Sequence, residues 1–175
     1  MNLANMIEVQ EGSIEKFVEQ RGIDAVVNPA RPSLMGGSND ESVDSAIHRI
    51  INEKEGKRDY FKKYIIKKFK KKVHTKKEDV IRCNSGEAVI TKGGRLCKYV
   101  IHTVGPRSDR NAGLPDGYSS SCVGKLVSCY ENVMRLVFEY PEIETVAIPV
   151  ISSGNYGFDF EYAFRIGLVT VYNEL

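Results

Sequence analysis

The 175-residue chain has no C-x-x-C pair among its four cysteines (Cys83, Cys97, Cys122, Cys129), and no histidine stands at zinc-ligand spacing from them. That leaves neither a disulfide framework nor a zinc site, and it points to reduced thiols in a cytosolic protein. No stretch approaches the ~18 uncharged apolar residues of a membrane span. Met1-Asn2-Leu3-Ala4-Asn5 has neither the basic start nor the apolar core of a secretory signal, so the expected location is cytoplasmic, with no membrane partner. The motifs G-x-x-x-x-G-K-[ST] and G-x-G-x-x-G are both missing, which removes support for a P-loop or a dinucleotide fold. Internal repeats and low-complexity tracts are missing too.

What is present fits one globular domain: the length is close to the roughly 150 residues of a typical domain. Hydrophobic residues make up 42% and charged residues 27%, an ordinary soluble balance. The net charge of +2 hides an asymmetry. Between Lys54 and Lys77, twelve Lys/Arg face only Glu55 and Asp59, so one strongly basic segment sits on an otherwise mildly acidic chain.

Periodicity gives the elements. Met6-Ile7-Glu8-Val9-Gln10 alternates like a short strand, and Ser13 is placed to cap a helix through Ile14, Phe17 and Val18. Asp24 to Asn28 reads as a strand buried on both faces. Pro29 to Glu41, with two prolines and Gly36-Gly37, reads as a long loop. Ser42 or Asp40 caps a helix whose apolar face is Val43, Ala46, Ile47, Ile50 and Ile51. In the basic segment Phe61, Ile65, Phe69 and Val73 recur every four residues, which predicts an amphipathic helix with lysines outward. Two strands, Glu87–Thr91 and Tyr99–Val104, are joined through Gly93-Gly94, and a polar loop follows from Arg107 to Ser121. A helix over Val123–Tyr140, a buried strand over Thr145–Val150, a Gly-rich loop over Ile151–Phe158 and a last helix from about Asp159 complete the chain. Strands alternating with helices predict an α/β sandwich with a mostly parallel sheet.

In such sheets ligands bind beyond the carboxyl ends of the strands. Two loops fall there, one after Asn28 and one running Ser152-Ser153-Gly154-Asn155-Tyr156-Gly157 into a helix. Glycines let the backbone approach a ligand, and N–H groups at a helix start attract phosphate. Two such loops can grip a diphosphate from both sides; the plain alternative is two structural turns.

Four segments then carry a family resemblance. Asp24-Ala25-Val26-Val27-Asn28-Pro29-Ala30 resembles the "D-A-I-V-N-A-A-N" strand and loop of macrodomains. Leu34-Met35-Gly36-Gly37, with Val43-Asp44-Ser45-Ala46-Ile47-His48, resembles "L-L-G-G-G-G-V-D-G-A-I-H". Ser85-Gly86-Glu87-Ala88 and Tyr99 through Pro106 are similar to "T-G-E-A" and "Y-V-I-H-T-V-G-P". Ala147 through Phe158 is similar to "A-F-P-A-I-S-T-G-I-Y-G-F". The order is right, and the matches extend over residues 7 to 173.

The resemblance implies a single macrodomain over 1–175. Its fold would be a three-layer α/β/α sandwich with a mixed, mostly parallel sheet. A basic helical insertion would occupy about 54–78, and the family's usual last strand and helix would be absent. It implies an ADP-ribose site whose diphosphate contacts match Gly36, Gly37, Val43, Ser152, Ser153, Gly154, Asn155 and Tyr156. Ser13, Ile14, Asn28 and Arg31 are matched ligand positions, with Phe158 as an apolar wall. For Tyr156 and Phe158 the alternative is core packing. His48 and His102 match positions that look structural. Asp44 is the candidate catalytic residue, orienting a water against the anomeric carbon of the distal ribose; its alternative is a helix-start carboxylate. No metal or cofactor is implied.

Three departures bear on activity. Ser13 replaces the "G-D-I" Asp that reads the adenine amino group, so adenine selectivity should weaken. Arg31 replaces the last Asn of "N-A-A-N", the partner of Asp44 in hydrolysing relatives, although it could pair with a phosphate. Gly37-Ser38-Asn39-Asp40-Glu41-Ser42-Val43 carries three extra residues and added acid beside an anion site. The expected function is binding of ADP-ribose or of ADP-ribosylated protein or nucleic acid, with weak or no hydrolysis. The alternatives are an ADP-ribosyl hydrolase or ADP-ribose-1''-phosphate phosphatase using Asp44, and a decayed site whose basic helix binds nucleic acid or another acidic partner. The early end of the chain suggests either a fragment or a homodimer formed by strand exchange.

Overall fold

The computed structural model describes residues 6–37, 41–70, 80–110 and 117–175. Its sheet has four strands, β1 (Ala25–Pro29), β2 (Ala88–Gly93), β3 (Cys97–Thr103) and β4 (Val146–Ala147), in the order β2-β3-β1-β4. β1 runs parallel to both neighbours, and β2 and β3 form an antiparallel hairpin. Five helices flank the sheet: α1 (Ile14–Arg21), α2 (Val43–Glu55), α3 (Tyr60–Lys68), α4 (Ser120–Glu139) and α5 (Phe160–Glu174). The mixed, mostly parallel α/β/α sandwich is therefore present.

The period of two along β1 builds two cores. Val26 turns to one face, where Val100 of β3 and Ile47, Ile51, Phe61 and Ile65 of α2 and α3 close the first core. Ala25 and Val27 turn to the other, against Ile101 and against Val133 and Leu136 of α4. A third cluster joins α4 to α5 through Tyr130, Ile151, Phe158 and Ala163. Caps fix the helix starts: Ser42, Ser119 and Asp159 each accept a backbone N–H three residues on. None of the four cysteines is in a disulfide, and Cys83, Cys122 and Cys129 are buried. No helix among the described residues is long and apolar enough to cross a membrane.

Several sequence expectations need correction. Residues 7–10 form no strand; Met6 and Val9 stay exposed, and Glu8 pairs with Arg21 at 3.0 Å in place of a ladder partner. Ser13 occupies the N-cap position of α1, but its side chain makes no cap hydrogen bond. The strand expected over Thr145–Val150 shrinks to two residues, half-buried, because β4 is paired with β1 alone and Pro149 has no N–H for a ladder. The basic helix is also shorter than expected. Gly56, at φ 63°, closes α2, and α3 spans only nine residues, ending at Lys68 with Phe69 as its C-cap. Val73 lies outside the described residues. Finally, α4 starts at Ser120, three residues before the expected Val123, because Ser119 supplies the cap.

Candidate functional site

Because β1 and β4 are adjacent and parallel, with Ala25 opposite Val146, their following loops leave from the same edge of the sheet. Both loops hold a non-glycine residue in the left-handed region: Leu34 at φ 59° and Ser152 at φ 66°. Each such residue costs of order 1–3 kcal/mol and persists only where its surroundings over-determine it. Leu34 is held by full burial in the first core. Ser152 is held by hydrogen bonds, its Oγ donating to the Pro106 carbonyl at 2.9 Å and its own carbonyl accepting from Phe158 N–H at 3.0 Å.

The first loop meets a buried polar chain at its base. Asn28 and His102 are register partners on β1 and β3, on the face that carries the first core. The Asn28 Nδ2 group donates to Asp44 Oδ1 at 2.8 Å and lies 3.2 Å from His102 Nδ1. An amide nitrogen only donates, so His102 Nδ1 is the acceptor and its Nε2–H points to Thr91 Oγ1 at 2.9 Å. His102 is held neutral: burial, helped by nearby His48 and Lys68, lowers its pKa to about 3. His48, with its Nε2 3.6 Å from Asp44, is lowered to about 4 by burial and then by Lys62.

Asp44 is 4% exposed. Burial raises its pKa, opposed by the Asn28 hydrogen bond, the Arg31 charge, the Arg31 backbone N–H and the Lys62 charge. Its carboxylate is thus engaged by protein donors rather than open to solvent. Asn28 Oδ1, at a residue with no exposed surface, accepts from no protein group among the described residues. Gly36, at φ 84°, lies against the His48 ring, where an added Cβ would sit 3.4 Å from Cγ. Gly37 and Val43 are half-buried beside it, and Arg31 is exposed at the loop start.

The second loop is lashed to the segment after β3. Ser108 N–H donates to the Tyr156 carbonyl at 2.7 Å, and the Arg107 guanidinium lies 4.8 Å above the Tyr156 ring. Ser153 Oγ donates back to the Val150 carbonyl at 2.9 Å, while Gly154 and Asn155 project outward, exposed. Phe158 is 3% exposed and stacks on Tyr118 at 4.5 Å, so its ring is a core element and not an open wall. Ile14 is half-buried on the first core, and Ser13 Oγ is buried without a hydrogen-bond partner among the described residues. Ser42 is the cap of α2.

Arg107, Thr91 and Lys62 carry parts of this arrangement that sequence reading left unassigned. Thr91 and His102 come together only through the strand register, which no local pattern reveals. Arg107 had a visible signal, a cation directly after Gly105-Pro106 at the start of the polar loop.

Two glycine-bearing loops thus leave the carboxyl ends of adjacent parallel strands, the place where α/β sheets bind ligands. The family model of the Macro domain matches residues 27–167, and the chain belongs to that family. It is 36% identical over 160 residues to macro domain-containing protein CT2219 of Chlorobaculum tepidum, covering 91% of this chain and 76% of that one. It is 34% identical over 172 residues to ADP-ribose glycohydrolase MACROD2 of Xenopus laevis, covering 94% of this chain but only 34% of that protein. Among solved structures, the Oceanobacillus iheyensis macrodomain with ADP superposes with a TM-score of 0.68 at 28% identity, covering 93% of this chain and 72% of the other.

Proposed function

We propose that this macrodomain binds ADP-ribose, free or carried on a macromolecule, and turns it over weakly or not at all. The observation that carries the reading is the pair of constrained loops leaving adjacent parallel strands, each matching a diphosphate-contacting segment of the family. The solved Oceanobacillus relative with ADP supports the nucleotide part. Gly36, Gly37 and Val43 would take one side of the diphosphate and Ser152 to Tyr156 the other. Ser13 Oγ, buried without a partner among the described residues, supports a polar contact to the base. Weak turnover is supported by Asp44: its carboxylate is buried and bonded to Asn28, and Arg31 stands where hydrolysing relatives carry their second Asn.

A hydrolase is the second reading, favoured by the retained Asp44 and by the MACROD2 relative named as an ADP-ribose glycohydrolase. Calorimetric titration with ADP-ribose, with ADP and AMP as controls, tests binding; micromolar affinity, about −8 kcal/mol, is expected for ADP-ribose. Absence of heat from folded protein would overturn it. Release of ADP-ribose from a mono-ADP-ribosylated protein at rates well above background would favour the hydrolase.

A further inference from the structure

The function proposed above makes no use of the basic segment, and the structure gives its described part, up to Lys70, a shape. Lys57, Arg58, Tyr60, Lys63, Tyr64 and Lys67 line one groove of about 310 Å³ along α3. That volume lies at the lower end of small-ligand sites, enough for one nucleotide unit. Residues 57–70 carry seven cations against the single acid Asp59. The neighbouring acids are occupied: Glu55 accepts from Arg95 N–H at 3.0 Å, and Glu53 lies 4.0 Å from Arg49. The four cations of the groove are exposed, and the two tyrosines are half-buried.

Two tyrosine rings, that of Tyr64 fixed in place, separate this groove from a plain solvated lysine face. The Tyr64 hydroxyl accepts from the Lys92 backbone N–H at 3.4 Å, and its ring stacks on buried Phe61 at 6.4 Å, only 7° from parallel. Tyr64 is therefore held from both ends with its groove side open, so little rotamer entropy remains to be lost on binding. Tyr60, one turn earlier on the same side of α3, adds a second ring. Cations that track a phosphate backbone, beside aromatic faces on which bases stack, are what single-stranded nucleic acid requires. An acidic polypeptide would use the cations but make no use of the ring faces that the groove presents beyond their packing on the core.

We propose that the α3 groove is a binding surface for single-stranded nucleic acid, separate from the two-loop crevice and independent of the function proposed for it. The test is fluorescence anisotropy with a labelled oligothymidylate 12-mer and the whole chain at 50 and 200 mM salt. With about 0.7 ions released per neutralised phosphate, four cations give a log–log slope near −3, or about fifty-fold weaker binding over that range. Lys63→Gln/Lys67→Gln, both exposed, should fold normally, halve the slope and weaken binding at least tenfold at 100 mM salt. Tyr60→Leu keeps the apolar packing but removes the π-face, and should weaken binding at least fivefold. Duplex of the same length should bind more weakly than the single strand. Three outcomes overturn the proposal. One is equal binding of duplex. Another is displacement of the oligonucleotide by saturating ADP-ribose, which would move it to the crevice. The third is displacement by poly-glutamate together with an unaffected Tyr60→Leu variant, which would make the surface one for acidic polypeptides.

Discussion

Gly105→Ala puts a methyl group where the segment after β3 presses on the second loop. An added Cβ would lie 2.1 Å from Ser152 Oγ and 2.8 Å from Ile151 Cγ2. Neither neighbour yields cheaply. Ser152 can swing its hydroxyl away only by giving up the 2.9 Å bond to the Pro106 carbonyl, and Ile151 is fully buried. Overpacking of this kind costs about 1–3 kcal/mol, and the lost hydrogen bond adds about 1 kcal/mol. The variant should therefore be destabilised by about 2–4 kcal/mol in urea unfolding. Because the displaced residue is Ser152 itself, nucleotide affinity should fall by a further margin in folded protein. Ser152→Gly removes the 2.1 Å contact and suits φ 66°. Placed on the Gly105→Ala background it should recover at least ~1 kcal/mol more than the same change makes in the parent, and that difference is the coupling of the two sites. An alanine variant that melts and binds nucleotide like the parent would refute the close approach of the two segments.

Three further outcomes follow from the buried groups. His48 and His102, lowered to about 4 and about 3, take no proton when folded near pH 5, whereas the unfolded chain does. Stability is thus lost as pH falls from about 6.5, by about 2 kcal/mol per histidine at pH 5. Urea midpoints that stay flat between pH 6.5 and 5 would sink that assignment, and His48→Gln should reduce the slope. Asp44→Asn keeps an acceptor for Asn28 and removes a carboxylate whose pKa burial has raised, so it should be more stable than the parent at pH 7. That gap should close on acidification as Asp44 takes up a proton, readable in paired unfolding curves. Tyr130→Phe leaves Ile151 N–H, which donates to the Tyr130 hydroxyl at 3.0 Å, buried and unpaired; a loss of about 1–3 kcal/mol is expected in thermal or urea melts.

Much of this architecture is legible in the residues, for reasons that can be stated. A buried parallel strand such as Ala25-Val26-Val27 is a run of apolar residues, and a 20-residue helix such as α4 shows its apolar face over several turns. The two loops announce themselves by Gly36-Gly37 and by Gly154 and Gly157, punctuating otherwise regular elements. Short alternation was misleading. Met6 to Gln10 has the period of a strand, but a strand exists only where a neighbour supplies its hydrogen bonds. The four-residue period of Phe61 and Ile65 correctly marked a buried face after Gly56, but the same period gave no sign that α3 stops with Phe69 as its C-cap. Least legible were contacts created by register and by loop packing: Asn28 with His102, Arg107 over Tyr156, and Phe158 committed to Tyr118.

Phe61 has a consequence for how protons reach the interior. Its ring lies 4.8 Å from that of His48 and 5.7 Å from that of His102, so α3 is the stopper over both imidazoles. That helix is only nine residues long, and Asp59 at its start sits in the left-handed region without a side-chain cap bond. A helix so short has little stability of its own beyond its packing, so local opening of α3 ahead of the sheet is the expected route for exchange at both rings. The two imidazoles should trade protons with water at the opening frequency of α3, a rate that anything clamping the outer face of that helix would slow.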